Sequence, residues 1–166
     1  MYDKLTENDI KKLEEEIEYR KLVVRQEAIE AVKEARAQGD LSENFEYYAA
    51  KRDKNKNESR IRYLERMIKT ATVISDSSNA DEVGLHNTVQ VYFEEDDELE
   101  TYKIVTTIRE NALEGKISNE SPLGKALLGH KVGDRVFVKT GAGGYYVEIR
   151  SIENTTDDDS DRIRSF

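Results

Sequence analysis

A single glycine in the N-terminal half constrains the fold of this chain more than any other residue. Gly39 is the only glycine before Gly84, and the sole proline is Pro122. Residues 7–37 and 44–72 therefore lack both residue types that interrupt helices. The pattern predicts two long helices joined by a tight turn, with this segment at the tip: Gly39-Asp40-Leu41-Ser42-Glu43-Asn44.

Apolar residues in both segments follow the three- and four-residue steps of a coiled-coil seam. In the first segment, two successive four-residue steps lead from Leu13 through Ile17 to Lys21, which indicates a stutter around Lys21 that locally unwinds the supercoil. In the second segment Lys54 and Asn57 occupy the seam, so the seam is apolar near the base and polar in the middle. We therefore predict an antiparallel α-helical coiled-coil hairpin over residues 1–75. The seam positions are Ile10, Leu13, Ile17, Lys21, Val24, Ala28, Ala31 and Ala35, facing Tyr47, Ala50, Lys54, Asn57, Ile61, Leu64, Ile68 and Ala71.

A polar joint at residues 75–81 separates the hairpin from a second pattern, which alternates as β-strands do. Within this pattern Ser121 and Pro122 begin a short helix, as N-cap and first helical residue, and a glycine lies just past its end. We predict an α+β domain over residues 80–153, followed by an Asp-rich tail, 154–166, with the composition of a disordered segment. The strands are expected at residues 88–93, 100–107, 136–138 and 145–149, with a turn at 141–144.

The composition argues against several classes of protein. With no cysteine, the chain has neither a disulfide framework nor a cysteine zinc site, which fits a reducing cytoplasm. The N-terminus is charged and no run approaches about 18 apolar residues, so neither secretion nor a membrane span is expected. The sequence therefore favours a cytoplasmic protein with no membrane partner.

Charge is distributed unevenly along the chain. Residues 1–74 carry 16 basic and 16 acidic side chains, so the whole net charge of −9 lies in the remainder. Within the neutral half, residues 51–69 carry an excess of five positive charges soon after the tip. Such a cluster is often simply a solvated helix face, and the other interpretation is a path for a polyanion. The basic residues are Lys51, Arg52, Lys54, Lys56, Arg60, Arg62, Arg66 and Lys69.

Asp40 and Glu43 are the two carboxylates of the tip, three residues apart at the predicted start of the second helix. This spacing lets both side chains reach one small volume, and Mg²⁺ prefers such hard oxygen ligands. The same spacing is typical of a capping box, with Asp40 as N-cap and Glu43 at the third helical position, after Gly39 ends the first helix. The residues alone leave both roles open, and the two can coexist.

Together these motifs resemble the Gre family of bacterial transcript-cleavage factors, GreA and GreB. The resemblance covers roughly residues 4–153, in the order and spacing of the family. It departs at Glu120, where Asp is more usual, and at residues 141–144, which replace a Pro-Gly-Gly turn. The matching segments are Gly39-Asp40-Leu41-Ser42-Glu43-Asn44, Glu46-Tyr47, Ala49-Ala50-Lys51, Arg60-Ile61, Gly115-Lys116-Ile117-Ser118, Ser121-Pro122-Leu123 and Val132-Gly133-Asp134.

The resemblance implies an N-terminal coiled coil and a C-terminal FKBP-like α+β domain. Family members dock on RNA polymerase and pass the coiled coil through its secondary channel, so that the tip reaches the active site of a backtracked complex. There the tip acids are thought to help hold a second Mg²⁺ and to orient water for hydrolysis near the RNA 3′ end. We therefore expect a monomeric cofactor that activates the cleavage activity of polymerase. No cofactor should bind stably to the isolated chain, because Mg²⁺ would be held jointly with polymerase.

The same resemblance assigns the site residues. Asp40 and Glu43 take the catalytic and metal-recruiting roles, and Asn44 lends a polar contact. The basic residues after the tip would bind the extruded RNA, since contacts to phosphates dominate such binding. The RNA-binding residues would be Lys51, Arg52, Lys54, Lys56, Arg60 and Arg62, and the polymerase-docking residues would be Glu120, Ser121 and Pro122.

Two other functions are compatible with parts of the sequence. One is a regulator that binds the secondary channel and modulates or inhibits transcription without stimulating cleavage. Related factors of that kind alter the tip acids, so the presence of Asp40 and Glu43 argues against it. The other is a coiled-coil adaptor or chaperone, whose seam should be uniformly apolar, whereas Lys54 and Asn57 interrupt this one.

Overall fold

The chain folds into two units. The computed structural model describes residues 4–38, 44–157 and 161–164. One unit comprises Glu7–Thr72, and the other comprises Val73–Phe166 with Tyr2–Thr6. In the described ranges, no helix is long and apolar enough to cross a membrane.

The first unit is a helical hairpin. Its first arm consists of α1 (Glu7–Tyr19), a π-helical turn (Arg20–Val24) and α2 (Arg25–Ala37), which follow one another without a break. Its second arm is α3 (Phe45–Thr70), which packs against both α1 and α2. Side chains pair across the hairpin with increasing residue numbers on one arm and decreasing numbers on the other, as in Arg36 with Tyr47 and Glu16 with Arg60. The predicted antiparallel hairpin is confirmed.

The π-helical turn lies where the heptad pattern predicted a stutter. Lys21 is inside the turn, and the backbone N–H of Arg25 donates to the carbonyl of Arg20, five residues earlier. A π turn accommodates one residue more than an α-helical turn, so it locally unwinds the arm. The break in the sequence pattern therefore corresponds to a real change of helical geometry.

The interior of the hairpin changes character along its length. Leu13, Ile61, Leu64 and Met67 are buried towards the base, where each apolar side chain contributes roughly 1.5–3 kcal/mol by leaving water. Farther along α3 the buried position is Asn57, whose amide donates to the carbonyl of Arg20 and accepts from the Arg20 guanidinium. The seam is thus apolar near the base and polar in the middle, as its sequence predicted.

The second unit is built on a five-stranded sheet. Its strands run in the order β5-β4-β3-β7-β6, and helix α4 (Pro122–Leu127) packs against β6. The α+β fold class, a helical hairpin followed by a β-sheet unit, is confirmed. A short strand pair, β1 with β2, lies outside this sheet. The strands are β1 (Lys4–Leu5), β2 (Thr72–Val73), β3 (Thr88–Phe93), β4 (Glu98–Val105), β5 (Lys116–Ser118), β6 (Arg135–Thr140) and β7 (Gly143–Glu153).

Strand pairing explains both the success and the errors of the sequence interpretation. Strand β3 has the predicted bounds, whereas β4 begins and ends two residues before the predicted 100–107. The shift occurs because Glu98 pairs with Phe93 at the end of the β3–β4 hairpin. Strand β5, which was not predicted, is three residues long and pairs in parallel with β4.

Alternate residues of the strands fill the core of the second unit. On β3 and β7, Val89, Val91, Val147 and Ile149 are fully buried, and Leu127 of α4 covers them from one side. This period of two is what a sheet with one covered face requires. Residues on the opposite face, such as Tyr146, stay partly exposed.

The described part of the acidic tail has partners in the second unit. The composition of residues 154–166 predicts disorder, and the described residues 154–157 and 161–164 lie against the second unit. Asp157 and Asp161 pair with Arg109 and Lys103, so these carboxylates are not solvated charges. A disorder signature taken from composition does not register the cations that the fold brings opposite the tail.

Candidate functional site

The predicted site is centred on the hairpin tip. Asp40 and Glu43, to which sequence analysis gave the catalytic and metal-recruiting roles, lie outside the described residues together with Gly39. The geometry of the site is therefore built from the residues that flank the tip on both arms. These are the end of α2, the start of α3 and the side chains that join them.

Asn44 closes the hairpin at the tip. Its Oδ1 accepts a hydrogen bond of 3.0 Å from the backbone N–H of Tyr47, which makes Asn44 the N-cap of α3. Its Nδ2 donates across the hairpin to the carbonyl of Ala35, at 2.5 Å. One side chain thus satisfies an orphan donor at the start of one helix and adds a second donor to a carbonyl in the last turn of the other, which also accepts from the backbone N–H of Gln38.

The N-cap position corrects the capping-box interpretation. In the capping-box alternative Asp40 is the N-cap and Glu43 is at the third helical position, but the helix begins at Phe45 and Asn44 caps it. Asn is as good an N-cap as Asp, and it is the residue adjacent to the first helical residue. Neither acid of the tip is therefore needed to cap α3.

Two aromatic residues follow Asn44 with different surroundings. Tyr47 lies against Arg36 of the other arm, whose guanidinium is 5.5 Å from the ring centroid and donates to the phenol oxygen at 3.4 Å. This hydrogen bond from Arg36 lowers the pKa of Tyr47. Tyr48 meets Tyr47 edge-on at 5.5 Å and leaves 47% of its surface exposed. Packing at the hairpin end accounts for Tyr47, whereas Tyr48 faces solvent.

The sequence interpretation missed Phe45, which is 85% exposed at the first position of α3. Phe45 shares one face of the helix with three later residues, because steps of three and four residues separate them. These residues are Tyr48, Arg52 and Lys56. All four are exposed. Two aromatic rings followed by two cations thus form a continuous stripe that begins next to the tip.

The basic residues predicted to bind RNA divide into two groups. Lys51, Arg52, Lys56 and Arg62 are exposed and Lys54 is half-buried. Within the part of the chain that the structure describes, none of these five forms an ion pair. Their charge is consequently available to an external anion. This set, Lys51, Arg52, Lys54, Lys56 and Arg62, is called the basic face below.

Arg60 does not belong to the basic face. It is 7% exposed and turned into the hairpin, where Nε lies 2.9 Å from Oε2 of Glu16 and Nη2 lies 3.3 Å from Oε1. Arg60 was predicted to bind RNA with the others, but its side chain lies in the hairpin interior, because Glu16 on α1 presents a half-buried carboxylate to it. In the sequence the only signal was that Arg60 directly precedes the seam residue Ile61.

Glu16 also binds a second arginine. Arg20 Nε lies 2.7 Å from the same Oε2. Burial raises the pKa of Glu16, but the hydrogen bonds from Arg60 and Arg20 outweigh it and hold the pKa below its usual value. One carboxylate between two guanidinium groups therefore stays ionised and links α1 to α3 beside the π-helical turn.

Two further ion pairs join the arms at that turn, one from inside it and one from the residue that follows it. Arg25 makes a two-pronged contact with Glu58, with both N–O distances at 2.9 Å, and Lys21 lies 2.6 Å from Glu65. The hydrogen bonds from Arg25 lower the pKa of Glu58. Planar, two-pronged pairing fixes geometry as well as charge. These contacts, which sequence analysis did not identify, set the register in which the tip is presented.

The predicted docking residues lie at the start of α4 in the second unit. Ser121 is the N-cap, since its Oγ accepts from the backbone N–H of Gly124 at 3.1 Å, and it donates to the carbonyl of Ser118 at 2.6 Å. Pro122 is the exposed first helical residue, and Glu120 pairs with Lys4 at 3.0 Å. The predicted cap and the helix start are confirmed.

Gly124 fixes the distance between α4 and the strand before it. A Cβ at this position would overlap the carbonyl oxygen of Ser118. The helix can therefore approach the Ser118 backbone only because residue 124 has no side chain. As a result the loop carrying Glu120 and Ser121 is held between two rigid elements.

Among the residues that the structure describes, no group of three or more acidic or histidine side chains converges as metal ligands. The carboxylates near the basic face are instead engaged by arginine or lysine, as Glu58 and Glu65 are.

Comparison with known protein families identifies both units. A family model described as "Transcription elongation factor, N-terminal" matches residues 4–73. A second, "Transcription elongation factor, GreA/GreB, C-term", matches residues 77–154. The two matches fall on the hairpin and on the β-sheet unit, and together they cover most of the chain.

Curated relatives give the same result at high identity. The chain is 47% identical over 150 residues to transcription elongation factor GreA of Geobacillus kaustophilus, covering 90% of this chain and 95% of that protein. It is 48% identical over 149 residues to the GreA of Bacillus licheniformis, covering 89% and 94%. Among solved structures, GreA factor homolog 1 of Thermus thermophilus is 29% identical, covers 93% of this chain and 100% of its own, and superposes with a TM-score of 0.43.

Proposed function

Since the chain belongs to the GreA/GreB family of transcription elongation factors, we propose that it binds bacterial RNA polymerase and stimulates cleavage of backtracked RNA. In this proposal the hairpin enters the secondary channel and brings Asp40 and Glu43 to the polymerase active site. The protein is a monomeric cofactor of polymerase, acts in the cytoplasm and is not a nuclease by itself.

The observation that carries the proposal is the position of Asn44. It caps α3 and ties the start of that helix to the carbonyl of Ala35 at the end of α2. Capping, the structural role that competed for Asp40 and Glu43, is therefore filled by another residue. The metal-recruiting role that we propose for the tip acids therefore does not compete with the capping of α3.

Two carboxylates suit the recruitment of a shared ion. Mg²⁺ takes about six oxygen ligands and usually keeps several waters, so one or two protein carboxylates are enough to attract it to a site that has other ligands. In phosphodiester hydrolysis a second ion beside the first activates water and stabilises the attacking and leaving oxygens. Asp40 and Glu43 would supply oxygen ligands, and polymerase would supply the rest.

The basic face supports a path for the extruded RNA. Its five cations have no ion pair with a described residue, and they follow the tip along α3. Phosphate contacts of this kind release counterions and weaken with salt. Tyr48 and Phe45, exposed on the same helix, offer flat surfaces on which an unpaired base can stack. Arg60 takes no part, because it is buried against Glu16.

The decisive experiment measures RNA release from stalled, backtracked polymerase complexes. We expect Asp40→Asn and Glu43→Gln to reduce the cleavage rate by at least about tenfold, since each removes an oxygen ligand. Glu46→Gln, which removes an exposed acid of the first turn of α3, is the matched control and should leave cleavage unchanged.

Binding to polymerase separates the two functions that remain open. In the cleavage function, the Asp40 and Glu43 variants still bind polymerase as the unmodified chain does. If the unmodified chain binds polymerase but releases no RNA, the alternative of a channel regulator without cleavage activity is correct. Hydrolysis of free RNA by the isolated chain would instead make it a nuclease in its own right.

A further inference from the structure

The C-terminal tail lies almost entirely beyond the family match, which ends at residue 154. Its described residues follow the surface of the second unit as a bound peptide would. The side chain of Asn87 donates to the carbonyl of Thr155 at 3.4 Å, and the backbone N–H of Arg164 donates to the carbonyl of Ile108 at 2.6 Å. The tail therefore makes main-chain hydrogen bonds near both ends of its described part.

Three cations lie between these two anchors. Lys103 of β4 and Lys116 of β5 are register partners on neighbouring parallel strands, and Arg109 belongs to the turn between the strands. The Arg109 side chain is fully buried, and the two lysine side chains are only 17% and 18% exposed. Like charges held this close, away from water, destabilise the fold unless anions lie between them.

The tail supplies these anions. Asp161, whose side chain is 1% exposed, lies 3.1 Å from Nζ of Lys103, 2.8 Å from Nζ of Lys116 and 3.8 Å from Arg109. Asp157 accepts from Arg109 at 2.8 Å. Lys116 has one further partner, Glu114, whose side chain is 58% exposed. The buried part of the cluster is therefore neutralised by residues outside the family's matched segment.

The hydrogen bonding agrees with this geometry. Burial raises the pKa of Asp161, but hydrogen bonds from Lys116 and Lys103 outweigh it and hold the pKa below the usual value. The hydrogen bond to Asp161 is also the main reason that the pKa of Lys116 is raised. Each of the two groups thus stabilises the charged form of the other.

We propose that Lys103, Arg109 and Lys116 form a binding site for an acidic peptide segment, and that the tail occupies this site in the same chain. A partner protein with an acidic segment binds there by displacing the tail. Single carboxylates reach the buried cations, and a main-chain amide pairs with Ile108, which is the chemistry of a peptide rather than of a nucleic acid. The proposal holds whether or not the hairpin stimulates RNA cleavage.

Tethering determines how strongly the tail competes. A flexible segment attached next to its own site acts at an effective concentration on the order of millimolar. A partner whose segment resembles the tail therefore binds weakly as long as the tail occupies the site. A partner with a more acidic segment competes with the tail more strongly. The tail thus selects among acidic partners by how many carboxylates they present to the three cations.

The first test uses the full-length chain with Asp157→Asn and Asp161→Asn together. The probe is a fluorescein-labelled synthetic peptide with the sequence of residues 154–164, and binding is read by fluorescence anisotropy at low salt. We expect the double variant to bind the peptide at least about tenfold more tightly than the unmodified chain, whose own tail fills the site. Adding Lys103→Met and Lys116→Met should abolish that binding.

Matched controls address charge and folding. Glu98→Gln with Glu100→Gln removes two exposed acids of β4, changes the net charge equally and should not increase peptide binding. The chain has no tryptophan, so Ile163→Trp introduces a single reporter beside Arg164 while all charges are kept. Excess unlabelled acidic peptide should change the emission of this tryptophan by releasing the tail. The same peptide with Asn in place of Asp should leave the emission unchanged.

Three outcomes would overturn the proposal. Equal peptide binding by the unmodified chain and the double variant would show that the tail does not occupy the site. No binding by the double variant, with no change in the tryptophan reporter, would show that the cluster only supports the fold. Equally tight binding of a single-stranded RNA of similar charge would show a general anion surface instead of a peptide site.

Discussion

Glu16 and Arg60 face each other across the hairpin, with Nε 2.9 Å from Oε2 and Nη2 3.3 Å from Oε1. The pair lies inside the hairpin, because the side chain of Arg60 is 9% exposed and that of Glu16 is 26% exposed. An arginine from the most basic stretch of the sequence is thereby withdrawn from the surface. Arg60 stabilises the hairpin, while the nearby Arg62 stays exposed to solvent.

These neighbouring arginines should have separable effects. Arg60→Met leaves Glu16 with one guanidinium fewer, so it should lower the free energy of unfolding by about 1–3 kcal/mol, the usual cost of removing one partner of a largely buried hydrogen-bonded pair. Arg62→Met should leave thermal unfolding unchanged. A thermal shift for Arg62→Met as large as that for Arg60→Met would contradict the assignment.

The basic face should influence cleavage in proportion to the length of extruded RNA. Replacing Lys51, Arg52 and Lys56 by Gln removes exposed cations without touching the hairpin interior. RNA release from deeply backtracked complexes should decrease more than release from shallow ones, and added salt should reproduce the effect. Equal losses on both complexes would point to a role in docking instead.

Acid should loosen the hairpin through Glu16. Its pKa in the folded chain is lowered, so its ion pairs contribute stability that is fully present above the usual value of 4.5 and is lost as the pH falls through the folded pKa. The difference in unfolding free energy between the unmodified chain and Glu16→Gln should therefore be largest near neutral pH and shrink below about pH 4.5. Chemical denaturation from pH 7 to pH 3 measures it, and a difference that grows in acid would refute the pairing.

The two hydrogen bonds of the Asn44 side chain should make separable contributions to the stability of the hairpin. Asn44→Ala removes both its hydrogen bonds and should destabilise the hairpin by about 1–2 kcal/mol. Asn44→Asp keeps the acceptor for the Tyr47 N–H but cannot donate to the carbonyl of Ala35. The midpoint temperature of unfolding of Asn44→Asp should lie between those of Asn44→Ala and the unmodified chain. If Asn44→Asp unfolds like Asn44→Ala, the cap contributes nothing and the link to Ala35 accounts for the whole effect.

Gly124 provides a test of the docking loop. Gly124→Ala forces a methyl group against the carbonyl of Ser118, so the start of α4 must move and polymerase binding should weaken. Gly143→Ala is the matched control, because nothing lies within 4 Å of its added Cβ. The two variants are compared by affinity for polymerase and by thermal unfolding. Unchanged affinity for Gly124→Ala would remove the loop from the docking surface.

The sequence predicted those features that a periodic or local pattern encodes. The hairpin followed from the placement of Gly39, strand β3 from its alternation, and the Ser121 cap from the residues around it. Arg60 was misplaced because charge alone does not tell a solvated arginine from one that meets Glu16 across the hairpin. That contact depends on the register of two helices, which no single stretch of sequence contains.

Two other features depend on the same kind of contact. Strand β5 is three residues long and gains its partner only when β4 lies beside it, so it has no period of its own to detect. The tail has the composition of a disordered segment, but Asp161 meets cations from two strands and a turn. In both cases the deciding partner is distant in sequence and appears only in the folded unit.

The π-helical turn at Arg20–Val24 holds one residue more than a regular α-helical turn of the first arm. In a regular α-helix, one extra residue rotates everything beyond it by about 100° and would turn the tip away from α3. Here the surplus residue is absorbed within a single turn, where Leu22 and Val23 bulge into solvent. A one-residue deletion inside this turn should therefore leave a regular α-helix whose remaining residues still face α3, so the turn lets the number of residues in the first arm change without rotating what lies beyond it.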